Sequence, residues 1–322
     1  MRLSDLFSLR RYRRCREIFR SPLAAHLQLA FSRPRPLTLA LSDGGSLHLP
    51  NVRKCRETLR WLLEESRDGR MRSIGGGLFE VEHGDSRVVL PDSDESSGAF
   101  RDVYLHDCYR VDELQRPLDT VVDLGGNVGL FSSRIAPFAK KVVCVEPIQG
   151  NMKIARENVR RTHCAEKVTF HQLAVAGQSG CTEKIYLSKG SRGGNSIDRK
   201  HASRWGDNGC KEVVTISLAD LFRREAIERC SFLKCDVEGA EFEIFAAAPR
   251  DILMRIDKIA MEVHLTTSEW GVEAFHRLRD TLDDAGFSVS HESIYDSNDQ
   301  LKRLFMLWAF RKEASGTGGV AA

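Results

Sequence analysis

Acidic side chains recur in this 322-residue chain where short apolar runs end: Asp123 after Thr120–Val122, Glu146 after Lys141–Val145, Asp236 and Glu238 after Phe232–Cys235, and Glu262 with His264 at the close of a run over 257–263. Such groups accept hydrogen bonds, balance a cation or take a proton, and open α/β sheets collect ligands at the carboxyl ends of their strands. Between the first two acids the chain reads VVDLGGNVG over 121–129. An apolar β-branched strand therefore runs into a turn where Gly125, Gly126 and Gly129 let the backbone bend tightly beside a ligand. A helix expected over 127–138 would aim its first N–H groups, from Asn127 onward, into the same crevice.

The spacing selects among nucleotide-type cofactors. A dinucleotide fingerprint G-x-G-x-x-G started at Gly125 needs glycines at 127 and 130, where the chain has Asn127 and Leu130. What is present, D-x-G-x-x-x-G, resembles the first motif of class I S-adenosylmethionine (SAM) methyltransferases. A carboxylate at Asp123 would repel a pyrophosphate but attract the positive amino-acid end of SAM, which makes Asp123, Gly125, Asn127 and Gly129 expected cofactor contacts. Glu146, about twenty residues on at the next strand end, can take both ribose hydroxyls.

The elements that must hold these groups follow from the pattern. From Leu118 strands and helices alternate: strand 119–124, helix 127–138, strand 142–146, helix 148–161, strand 168–175, then strands and helices at 184–187, 212–218, 219–228, 231–236, 240–247, 257–263 and 268–285, and an antiparallel pair at 287–293 and 303–310. Alternation of this kind predicts an α/β fold with a mostly parallel sheet covered on both faces. Ahead of it, two hairpins turn at Asp43–Gly45 and His83–Asp85, with a helix over Asn51–Asp68 between them. The expected organisation is a basic segment over 1–36, a small α+β lead-in over 37–116, a methyltransferase-like domain over 117–312 and a small-residue tail over 313–322. The end of the third strand, at Leu173 and Ala174, should pass beside an adenine.

The segment 232–245, FLKCDVEGAEFEIF, closely resembles the second signature of the FkbM family of SAM-dependent methyltransferases, K-x-D-x-E-G-x-E. Asn195-Ser196, Ser217–Leu221 and Glu262-Val263-His264 fit the same family, and the likeness spans about residues 100–310. It implies a class I methyltransferase (Rossmann-like) fold, SAM as methyl donor, and O-methylation of a sugar, glycolipid or polyketide-type acceptor. N-methylation of a small amine, and a chain that binds SAM without turnover, remain as other readings. Asp236, Glu238 and His264 are the candidates to take the acceptor's proton, His264 having the side chain whose ordinary pKa lies nearest neutrality, and Asp236 also a candidate contact to the cofactor. Asp236, Glu238, Glu262 and His264 could alternatively hold Mg²⁺ or Mn²⁺, but carboxylates at a sheet rim more commonly serve binding and charge balance, so no metal is expected. Glu241 reads as structural, complementing the dipole of the helix it opens. Tyr104, His106 and Tyr109 could cover the site or simply pack in the core or on the surface, and Arg192 with Asn195 could touch an acidic or hydroxylated acceptor or belong to a mobile connection.

Composition bounds the rest. Apolar residues make up 42% and charged residues 29%, as in ordinary globular proteins, and no apolar run is long enough to span a bilayer. Nine cysteines without C-x-x-C spacing point away from a disulfide framework and toward a reducing compartment such as the cytoplasm. A net charge of +3, with few aromatics among the basic residues, points away from nucleic acid. The charge is uneven: residues 1–20 hold seven arginines against Asp5 and Glu17, with Tyr12, Cys15, Ile18 and Phe19 spaced along one helical strip. That segment reads as a helix docked on the body or frayed from it, or as one lying on anionic lipid. Nothing in the sequence fixes the oligomeric state.

Overall fold

The computed structural model describes residues 9–30, 37–40, 42, 46–49, 70–91, 98–188, 194–203, 207–265, 271–293 and 303–312. The expected helix over 51–68, the tail over 313–322 and most of the Gly/Ser-rich loop, 189–193, lie outside these. The centre is a seven-stranded sheet built from β6 (Leu118–Leu124), β7 (Ala139–Val145), β8 (Val168–His171), β12 (Phe232–Cys235), β13 (Lys258–Leu265), β14 (Phe287–Ser293) and β15 (Arg303–Arg311), in the order β14-β15-β13-β12-β6-β7-β8. Strands from β13 to β8 run parallel, and β15 is antiparallel to both its neighbours. The order reverses between β6 and β12, so a crevice opens above their carboxyl ends, where ligands of such sheets sit.

Period-two alternation sends successive side chains to opposite faces. Val121, Val142, Phe232 and Ala260 belong to one buried cluster, and Val122, Val143, Leu233 and Ile259 to the other. Phe245 and the helix Val272–Asp284, through Leu278 and Leu282, pack on the second face. The first cluster also takes in Phe79, Val81 and Leu90 from a small sheet of β3 (Arg70–Gly75), β4 (Leu78–His83) and β5 (Ser86–Pro91), together with Cys15 and Phe19. The strip at 12, 15, 18 and 19 thus faces the body, with Tyr12 and Ile18 half-buried, while Arg13, Arg16 and Arg20 are exposed. No helix among the described residues is long and apolar enough to cross a membrane.

Two polar links tie this layer to the central sheet. Asn158, fully buried on the helix Gln149–Arg161, accepts from Val89 N–H at 2.5 Å and donates to Val89 O at 2.9 Å and to Val128 O, inside the glycine turn, at 2.7 Å. Glu80 is also buried and meets Arg72 and Arg161; burial alone would raise its pKa, but the two guanidinium groups outweigh that and hold it low.

Three elements differ from expectation. The helix after the glycine turn spans only Leu130–Ile135, because Asn127 and Gly129 sit in left-handed conformations (φ 46° and 75°) that no helix continues through. The strand expected over 168–175 is two: β8 stays in the main sheet, whereas β9 (Ala174–Val175) pairs with Thr215–Ile216 of β11 (Asp207–Ile216) in a second sheet completed by β10 (Thr182–Ser188). The hairpin of β4 and β5 carries a third strand, β3, along its edge.

Candidate active site

The donor side of the crevice is set by close packing. Gly125 and Gly126 both donate to Val145 O at 3.0 Å, drawing the turn across the end of β7. A Cβ at Gly125 would stand 1.7 Å from the carbonyl oxygen of Asp236; one at Gly126 would stand 2.2 Å from Cys144 Sγ, and one at Gly129 2.7 Å from Ala155 Cα. The glycines are therefore demanded by neighbouring strand and helix, and Gly125 additionally by its φ of 75°. Asn127 N–H donates to Glu146 Oε2 at 2.9 Å, while Glu146 Oε1 accepts from Ile148 N–H at 2.9 Å and from Asn151 Nδ2 at 3.3 Å. Burial pushes the Glu146 carboxyl up to about 7 against the pull of these donors. A cavity of about 600 Å³, its solvent-open part included, is lined by Asn127, Glu146, Leu173, Ala174, Asp236 and Glu238 among others.

Asp123 is not among the cavity's lining residues. It is fully buried one layer below, accepting from Ser132 Oγ at 2.6 Å and lying 3.2 Å from Lys234 Nζ. In register, Lys234 stands directly beside Asp123 on adjacent strands. Its ammonium also donates to Gly125 O at 2.6 Å and Leu124 O at 3.3 Å, so the pair braces the turn from beneath. Asp123, expected to contact the cofactor, meets a lysine from the second signature beneath the turn.

The opposite side is a group of ionisable side chains. Asp236 leaves β12 with its Oδ2 3.8 Å from Lys234 Nζ, and its Oδ1 is a buried atom with no hydrogen-bond partner among the described residues. Glu238 follows in a left-handed conformation (φ 53°), fixed by Ser196 Oγ donating to its carbonyl at 2.5 Å, and presents Oε2 3.4 Å from His264 Nε2. Glu262 on β13 accepts from the buried Tyr109 hydroxyl at 3.0 Å. Asp236, Glu262 and His264 each bring a ligand atom within 4.8 Å of the others, close enough to hold one cation between them. Burial raises the pKa of Glu238, with His264 opposing it, and burial followed by Asp236 raises that of Glu262. For His264 burial would lower the pKa, but Glu238 and Glu241 outweigh it and hold the ring well above its ordinary value.

Gly125, Asn127, Glu146, Ala174, Asp236 and Glu238 thus meet on one cavity, His264 stands behind Glu238, and Gly129 lies under the turn against Ala155. Tyr104 stacks on Phe100 and contacts Ser133 Oγ at 2.9 Å, a packing position, and His106 pairs with Asp102 at 3.5 Å near the surface. Asn195 lines the cavity and accepts from Ser188 N–H at 3.0 Å; Arg192 is outside the described residues. Sequence spacing missed Lys234 as the brace of the turn and the Tyr109–Glu262 contact, whose partners are 153 residues apart.

Asn127 Oδ1, like Asp236 Oδ1, is a buried atom lacking a hydrogen-bond partner among the described residues. With Glu146 between its three donors, the cavity offers acceptors for a hydroxylated, cationic ligand, and so the residues fit SAM. The sheet order and the position of the site define a class I methyltransferase. Residues 123–289 match the family model described as the methyltransferase FkbM domain, slightly over half the chain, and the protein belongs to that family. The methyltransferase sdnD of Sordaria araneosa is 23% identical over 241 residues, 65% of this chain and 89% of that protein. The AMB antimetabolite synthetase AmbE of Pseudomonas aeruginosa is 25% identical over 240 residues, 63% of this chain, and the match spans only 11% of that protein's length. A solved structure of methyltransferase FkbM from Methylobacillus flagellatus is 15% identical, with a TM-score of 0.41 over 65% of this chain and 47% of that one.

Proposed function

We propose that the protein transfers a methyl group from SAM to a hydroxyl of a sugar, glycolipid or polyketide-type small molecule. The observation that carries this reading is Glu238 on the cavity wall with His264 3.4 Å behind it. A hydroxyl must lose its proton as the new bond forms, and here a rim carboxylate of raised proton affinity stands beside an imidazole. Bound SAM supplies a methyl group already made electrophilic by the sulfonium.

The chain supplies placement and proton management. Glu146 would accept from the ribose hydroxyls, Leu173 and Ala174 would flank the adenine, and Gly125 and Asn127 would offer backbone and amide groups along the cofactor. Asp236, just past the end of β12, would balance its positive charge. With Glu241 and Glu238 on its two sides, His264 is held as the imidazolium, so it does not itself take the proton. Glu238 would take the proton from the acceptor oxygen, with the His264 imidazolium beside it balancing its charge: as the C–O bond forms and the S–C bond of the donor breaks, the O–H proton would end on Glu238.

Incubation of the full chain with methyl-labelled SAM and separated pools of lipid, polysaccharide and small metabolites tests the proposal. Label in an ether carbon of a hydroxylated acceptor is the expected result. Label on nitrogen, label only in RNA or protein, or SAM binding without transfer to any pool would each overturn it.

A further inference from the structure

Glu241 has no exposed surface, although a carboxylate in the first turn of a helix needs no burial to favour the dipole. Its two oxygens meet three donors. Oε2 accepts from Gly239 N–H at 2.8 Å; Oε1 accepts from His264 N–H at 2.6 Å and lies 3.1 Å from His264 Nδ1. Two of these donors are backbone groups on different elements, the rim turn and the end of β13, so the carboxylate cannot rotate without leaving a buried N–H unpaired. Nδ1, facing a carboxylate, carries a proton, which leaves Nε2 as the nitrogen aimed at Glu238, 3.4 Å away.

We propose that Glu241 is a positioning residue for methyl transfer: it fixes the plane of the His264 ring and the proton on Nδ1, so that Nε2 stays directed at Glu238 and the acceptor rim. The proposal rests on the reading of Glu238 as the group that takes the acceptor's proton with the His264 ring beside it. It extends the role expected for Glu241 from helix dipole to ring orientation. A fold staple alone would need the two backbone donors and would be indifferent to the ring.

Glu241→Gln separates these. An amide can keep one face of the contact but must turn a donor toward either Gly239 N–H or the ring. In ¹⁵N spectra of the full-length wild type, His264 is expected to keep a proton on Nδ1. In Glu241→Gln the ring should become neutral at a lower pH, with label transfer from SAM into the acceptor pool falling about 100-fold or more, as when a carboxylate that orients a catalytic imidazole is amidated. SAM affinity by calorimetry should stay within about twofold, and Glu241→Asp should recover part of the rate. A wild-type ring without a proton on Nδ1 overturns the proposal even if the Gln variant does not fold. So does a folded Glu241→Gln with wild-type ring titration and rate. His264→Ala at full rate would instead sink the proton-transfer reading, whatever the ring geometry.

Discussion

The two sides of the crevice are built on opposite principles. On the donor side position comes from atoms that cannot be added: three glycines whose missing side chains let the turn lie against Asp236 O, Cys144 and Ala155. On the acceptor side it comes from charges packed together, Asp236, Glu238 and Glu262 crowded around one imidazole and one ammonium. The glycine turn of the donor side is fixed before any ligand arrives, because sterics do not depend on pH. On the acceptor side burial raises the proton affinity of Glu238 and Glu262, so its charge varies with pH. Lys234 joins them, donating to Gly125 O while standing 3.8 Å from Asp236.

The comparison breaks hardest at Gly125. Gly125→Ala drives a methyl group into a backbone carbonyl and places a non-glycine residue at φ 75°, a combined cost of about 5 kcal/mol. Calorimetry should then show no SAM binding, with a large drop in melting temperature. Lys234→Met comes next, since it leaves Asp123 buried without its cation at a cost of ~4 kcal/mol, read by denaturant unfolding. Glu238→Gln should spare both stability and SAM affinity while slowing label transfer about 100-fold. A variant that lost affinity and rate together would show that the two sides are not separate.

Titration sharpens the contrast further. Glu146, Glu238 and Glu262 all have folded-state pKa values above the ordinary carboxylate range. Their contribution to stability is therefore full at low pH and is lost as pH rises through the raised values, which for Glu146 is about 7. The ligand-free protein should lose a few kcal/mol between pH 5 and pH 8, measured by urea unfolding. Glu146→Gln should flatten part of that slope and also weaken SAM binding. The smallest effect is expected from Tyr109→Phe, which removes one donor from Glu262 and should cost about 1 kcal/mol, seen as a severalfold change in rate at unchanged SAM affinity.

Much of this arrangement was legible from residue order because strand ends announce themselves: an apolar run, an acid, then glycine. Glu146, Asp236 and Glu238 were found that way, and Ala174 by counting strands. Asp123 carries the same signal, but its contact with Lys234 does not show in the spacing. Which residue stands beside it depends on the register of β12 against β6, and Lys234 is 111 positions away. The strand over 168–175 read as one because its apolar content is continuous; nothing local says that Ala174 and Val175 change sheets to meet Thr215 and Ile216. Tyr109 and Glu262 lay too far apart for any spacing rule, and the three-way contact of Glu241 is made only when helix and strand have packed.

Asn158 gives the cofactor turn a long reach along the chain. Its amide holds Val89 with one hand and Val128 with the other, so a strand completed well before β6 is synthesised becomes part of the floor beneath Gly129. The turn is local in sequence but late in assembly: its final shape waits for a contact that closes 69 residues of chain. A version of this protein begun at Leu118 would keep every glycine of the turn and lose the scaffold strand that stills it.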